Sequence, residues 1–145
     1  MSNLQVAKLP IWFWIIAGVA LIWNLMGVSA YIMQVTMSAE ILSSLPEAER
    51  ALYENVPVWA TGAFALAVFG GAIGCVLLLL RRNLSVPVFG ASFAGVIVQM
   101  IYNFGIANSI AVYGPGSMLM PVMVVIIGAF LIWYSMSAKG KGWLK

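Results

Sequence analysis

Four long stretches of the chain contain no charged residue. They run from about Leu9 to Met37 (9–37), Val56 to Leu80 (56–80), Leu84 to Tyr113 (84–113) and Ser117 to Ala138 (117–138). A bilayer hydrocarbon core is about 30 Å thick and needs about 20 apolar residues in a spanning helix, so each stretch is long enough. In lipid a lone segment satisfies its backbone hydrogen bonds only as a helix. The expected fold is therefore an all-α membrane protein. Four transmembrane helices would form one compact bundle over residues 1–145, in contact with the lipid bilayer. Val28-Ser29-Ala30 resembles a signal cleavage site, but the apolar run exceeds the roughly 7–15 residues of a signal core, so it reads as a retained span.

Composition removes other classes. Only 8% of the residues are charged, against roughly 25% in soluble domains. That excludes a soluble enzyme, a nucleic-acid-binding domain and a disordered regulator, and no nucleic acid is expected as a partner. There is no His and one Cys, which leaves no disulfide framework and no zinc-ligand spacing. No metal or cofactor is expected, and without a base for acid–base or nucleophilic chemistry the chain does not read as an enzyme.

The few charges are segregated. Lys8, Arg81, Arg82, Lys139, Lys141 and Lys145 flank the spans on one side, while Glu40, Glu47, Glu49 and Glu54 share the first loop with Arg50. The positive-inside rule then places both termini in the cytoplasm. Trp12, Trp14, Trp133, Tyr134 and Trp143 fall near the expected inner interface, and Tyr53, Trp59 and Tyr113 near the outer one, as amphipathic rings prefer.

The loop from Ser38 to Asn55 holds a helix signal. Ser44-Leu45-Pro46-Glu47 has the spacing of a capping box with a proline in the first turn. Leu45, Ala48 and Leu52 then share one face. A short amphipathic helix in this first outer loop is expected, either as a solvated connector or as an acidic lid that gathers cations.

No Asp, Glu, Lys, Arg or His lies at the centre of any span, which argues against proton-coupled pumping and voltage sensing. The polar groups that remain are neutral. Asn24, Tyr31 and Gln34 lie within about 80° of one another on the first span, and Ser92, Gln99 and Asn103 within about 40° on the third. Two such stripes imply helices that face each other or a shared cavity. One reading is interhelical glue, with Asn24 bonded to Gln99 or Asn103. The other is a substrate-binding cavity in which Asn24, Gln34, Gln99 and Asn103 join Trp23, Tyr31 and Tyr102 around a small neutral, sugar-like solute. Amides supply paired donors and acceptors, and aromatic faces supply an apolar platform. Ile22-Trp23-Asn24-Leu25 also echoes Ile101-Tyr102-Asn103-Phe104, as a two-plus-two duplication would.

Small residues mark close packing. Ala63, Ala67, Gly70, Gly71 and Gly74 line the second span, and Gly90 and Ala94 repeat the spacing in the third. Such stripes serve either the bundle itself or a homo-oligomer. Cys75 reads as an inert core residue, and the nine Met as adaptable apolar packing. Pro121 is expected to bend the fourth span.

Four segments carry a resemblance: Trp23-Asn24-Leu25-Met26-Gly27, Leu45-Pro46-Glu47-Ala48-Glu49-Arg50, Tyr113-Gly114-Pro115-Gly116 and Gly142-Trp143-Leu144. Together they resemble a group of small bacterial four-helix inner-membrane proteins that carry the label "sugar transporter". The resemblance implies a multi-pass protein of the bacterial inner membrane with a transport role. It is distinct from the SWEET type of carrier, because none of the six Pro is followed by Gln or Asn. Two functions are therefore carried forward. One is a passive carrier or channel for a small neutral solute, working as a homo-oligomer. The other is a structural or accessory membrane protein that binds itself or a membrane partner.

Overall fold

The computed structural model describes residues 9–145; Lys8 lies outside them. Four helices are long and apolar enough to cross a membrane. They are α1 (Ile11–Val35), α4 (Val58–Leu79), α5 (Ser85–Met100) and α7 (Leu119–Gly140), with α5 prolonged by a π-helical turn over Ile101–Ile106. Between the first two spans lie α2 (Ala39–Ser43) and α3 (Glu47–Glu54); between the last two lie α6 (Ser109–Tyr113) and a 3₁₀ turn, Pro115–Met118.

The loop helices differ in detail from their sequence signals. The N-cap of α3 is Pro46, with no side-chain cap. Ser44 instead donates its hydroxyl to Ile41 O at 2.6 Å, closing the end of α2. The true cap in this region is Ser38, whose Oγ accepts from Ile41 N at 3.2 Å. The half-buried residues of α3 are Glu49, Arg50, Leu52 and Tyr53, whereas Ala48 is exposed.

The third span ends earlier than its apolar run. Asn108 adopts a left-handed conformation, φ 51° and ψ 49°, which Asn tolerates better than most residues. The chain turns there, and α6 lies beyond the membrane-length helix. Pro121, for its part, leaves α7 continuous. It occupies the third position of that helix, where the backbone N–H has no intrahelical partner to lose.

In the bundle α1 packs on α4, α4 on α5, and α5 on α7. The inner pair is tight because its contact is backbone to backbone. A Cβ at Gly95 would fall 2.8 Å from Ala63 O and 3.0 Å from Ala67 N, and one at Gly70 would fall 3.0 Å from the Ser92 side chain. Ser92 Oγ donates to Ala67 O at 2.6 Å. The small-residue stripe of α4 is thus used inside the chain's own bundle.

The outer pair, α1 and α7, behaves differently along its length. Buried residues on α1 are Phe13, Ala17 and Ala20, and on α7 they are Leu131, Ser135 and Ala138. All lie in the half nearest Arg81 and Lys139. There Phe13 stacks on Tyr134 at 6.3 Å and 29°, and meets Trp143 edge-on at 5.9 Å. Cys75, Leu78, Phe89 and Leu144 complete a solid core. Toward the acidic loop neither α1 nor α7 has a buried residue, and the bundle opens.

The basic end is also held by backbone geometry. Both α4 and α7 finish in Schellman motifs, with Arg82 N bonding to Leu77 O and Trp143 N to Ala138 O. Such a motif needs a left-handed residue, supplied by Arg81 (φ 58°) and Gly142 (φ 75°). Lys145 N donates to Arg81 O at 2.7 Å, Asn83 N donates to Lys145 O at 2.8 Å, and Arg81 Nε donates to Trp143 O at 2.9 Å. The segment 142–145 therefore straps the α4–α5 turn.

Candidate functional site

Because α1 and α7 part while α4 and α5 stay together, the open half holds two adjoining, partly open chambers. The upper one, about 260 Å³, lies under α3 and α6 and is lined by Gln34, Tyr53, Gln99, Tyr102, Asn103, Ser109, Tyr113 and Ser117 among others. The lower one, about 410 Å³, is lined on α1 by Trp23, Asn24, Met26, Gly27 and Ala30 and on α7 by Met120, Val124, Ile127, Gly128 and Leu131. Phe64, Gln99, Asn103 and Pro121 belong to both. Leu131 also belongs to the solid core, so the lower chamber stops where that core begins.

The shared wall is a consequence of the third span's local geometry. Over Ile101–Ile106 the helix widens into a π turn, with Ala107 N bonded to Tyr102 O at 2.8 Å. π turns are rare and frequently found at functional sites. Here the turn carries Asn103 one helical step beyond Gln99, and both amides line the junction of the chambers. Neither makes a side-chain hydrogen bond among the described residues.

The other candidate residues have divided roles. Asn24 lines the lower chamber, but its Nδ2 donates to Ala20 O at 2.8 Å and to Cys75 Sγ at 3.5 Å. The expected bond from Asn24 to Gln99 or Asn103 is not made, because α4 rather than α5 packs against α1. Asn24, Ser92, Gln99 and Asn103 line the lower chamber together, while Asn24 and Ser92 also bond across helices, both to α4. Ser92, on the same stripe as Gln99, is consumed by its bond to Ala67. Trp23 lines the lower chamber and Gln34 the upper. Tyr102 is buried, donates its hydroxyl to Asn55 O at 3.3 Å and meets Trp59 edge-on at 5.5 Å; it fixes the start of α4 while lining the upper chamber. Tyr31 lines neither chamber and instead meets Phe64 and Phe69 edge-on at 5.4 and 5.5 Å. The two similar tetrapeptides differ accordingly: the first is α-helical, the second lies in the π turn.

Sequence reading missed part of the upper chamber: Tyr53, Ser109, Tyr113 and Ser117. The signal was present in the length of the third apolar run, which exceeds the about 20 residues a span needs. A surplus of that size is met by tilt or by a turn; here the chain turns at Asn108, which brings its polar residues back over the bundle mouth. Tyr113 is a neutral donor there. Its phenol is pushed up to about 12, first by desolvation and then by the neighbouring Tyr53 hydroxyl and the Glu49 carboxylate.

No protein-family model, curated protein or solved structure matches the chain.

Proposed function

We propose that this integral membrane protein is a passive carrier for a small neutral, hydroxylated solute, taken up from the acidic-loop side. The observation that carries this reading is the pair of free amides, Gln99 and Asn103, at the junction of two chambers that are closed at the basic end. An amide presents a donor and an acceptor together, which matches vicinal hydroxyls. The lining holds no charged side chain, so an ion would lose its hydration without compensation. Under this reading the basic end faces the cytoplasm, by the positive-inside rule, in a bacterial inner membrane as the resemblance implies. The acidic α3 forms the roof of the upper chamber through Leu52 and Tyr53.

Flux into proteoliposomes tests it. Glycerol or a monosaccharide should enter faster than into empty vesicles, and Asn103→Leu or Gln99→Leu should remove the difference. Equal flux with and without protein contradicts the reading.

A second reading rests on α5. Gly90, Ala91 and Ala94 are exposed, and a Cβ at Gly90 would meet nothing within 4 Å. Unlike the stripe on α4, this one is unused within the bundle, and small residues favour close helix approach in lipid. It supports an accessory role through a homo-oligomer or a membrane partner. Cross-linking through Ala91→Cys in a Cys75→Ala background would capture that contact; a uniformly monomeric product argues against it.

A further inference from the structure

We infer that the ligand carries a hydrocarbon chain, and that it reaches the site sideways from the bilayer through the gap between α1 and α7. This rests on the solute-binding reading and narrows its substrate class to an amphiphile with an uncharged, hydroxylated head. Three observations lead to it.

The first is the contrast between the chambers. The upper one gathers hydroxyls and amides from Gln34, Tyr53, Ser109, Tyr113 and Ser117. The lower one is walled mainly by Trp, Met, Val, Ile and Leu side chains. Its polar members Asn24 and Ser92 already donate to Ala20 and Ala67. Gln99 and Asn103 mark the boundary. A wholly hydrophilic solute would use the upper chamber and leave the larger, lower one without a suitable occupant. Water is no better suited, since an ordered water needs about 2–4 polar partners.

The second is where the lower chamber opens. Met26 and Met120 line it, yet they are 61% and 57% exposed. They form its rim. Met26 lies about 22 Å along the axis from Ile11 at 1.5 Å per residue, within a hydrocarbon core of about 30 Å. The opening therefore meets acyl chains, not water.

The third is charge. None of the lining residues of either chamber is ionised at neutral pH, so a phosphate, carboxylate or ammonium head has no counter-charge there. The matching occupant has a glycerol- or sugar-type head between Gln99, Asn103 and Tyr113, and one chain running down past Val124 and Ile127.

The test uses the full chain in phosphatidylcholine nanodiscs and a monoacylglycerol bearing a diazirine in its acyl chain. Illumination should place saturable adducts on Met26, Ala30, Val124 and Ile127. Unlabelled monoacylglycerol should compete and the fatty acid of the same length should not; glycerol and glucose, which lack the chain, should compete only at far higher concentration. Ile73 and Val76, exposed on α4, should show only unsaturable background. Ala30→Phe narrows the gap at an exposed position and should cut the saturable adducts by roughly tenfold. Gln99→Leu should weaken competition by roughly three- to tenfold, as for one lost neutral hydrogen bond. Adducts spread evenly over α1, α4 and α7, or equal competition by the fatty acid, overturn the inference. If glycerol or glucose flux depends on Gln99 while no saturable adduct forms, the amphiphile is wrong and the solute reading stands. If neither flux nor saturable adducts occur, both are wrong.

Discussion

The carboxamide of Asn24 rests on the backbone of Gly71. A Cβ at position 71 would collide with Asn24 Oδ1, while Asn24 Nδ2 reaches past it to Cys75 Sγ at 3.5 Å. This contact seats α1 on α4 just where α1 stops being buried, at the floor of the open half. It sets a polar residue at mid-membrane on the boundary between a solid half and a hollow one.

The first prediction follows from that contact. Gly71→Ala should destabilise the protein by about 1–3 kcal/mol, the usual cost of overpacking. Placed in an Asn24→Ala background, the same change should cost less, with a coupling of at least about 0.5 kcal/mol. Unfolding in mixed micelles measures both. Additive effects would mean that the two residues do not press on each other.

The α4–α5 seam gives a paired prediction. Gly95→Ala puts a methyl onto Ala63 O and Ala67 N, backbone atoms that cannot turn aside, and should cost about 1–3 kcal/mol. Gly90→Ala on the open face of the same helix meets nothing and should be neutral or stabilising by up to about 1 kcal/mol. Ser92→Ala should cost about 0.6–1.7 kcal/mol, the range for an interhelical hydrogen bond in lipid.

The basic-end strap depends on Gly142. At φ 75° an L side chain is strained, so Gly142→Ala should cost roughly 1–2 kcal/mol. It should also loosen the bond from Lys145 N to Arg81 O. Faster amide exchange at Lys145 and Asn83 would report this, and unchanged exchange would show the strap to be independent of the turn.

Tyr113 yields a pH prediction. Its phenol is raised to about 12, so below about pH 10 it is protonated in both folded and unfolded chains and contributes no pH dependence. Between about 10 and 12 the unfolded chain releases the proton first, and stability should fall as pH rises. A Tyr113→Phe variant should lack that part of the fall. Phenolate absorbance compared between the two proteins gives the titration directly.

How much of this was legible in the sequence differs by residue. The spans followed from uncharged runs, because lipid leaves the backbone no alternative to a helix. The stripe of Ala63, Ala67, Gly71 and Gly74 correctly marked a close approach, though not its partner helix. The Asn24 partner was misread because helical spacing fixes a residue's face and not which neighbour that face meets. Ser44 was misassigned because its hydroxyl had two helix ends within reach, and α2 took it. The upper chamber was missed because the left-handed turn at Asn108 depends on one residue's conformation, which hydropathy does not register.

Solute binding in this bundle requires a water-accessible junction at Gln99 and Asn103 above a dry core at the basic end. Thiol accessibility tests it directly. In a Cys75→Ala background, Gln99→Cys, Asn103→Cys, Ala17→Cys and Leu131→Cys are each treated with a membrane-impermeant thiol reagent from the acidic-loop side. Rapid labelling is expected at 99 and 103, and protection at 17 and 131. Protection at 99 and 103, or labelling at all four positions, would contradict it.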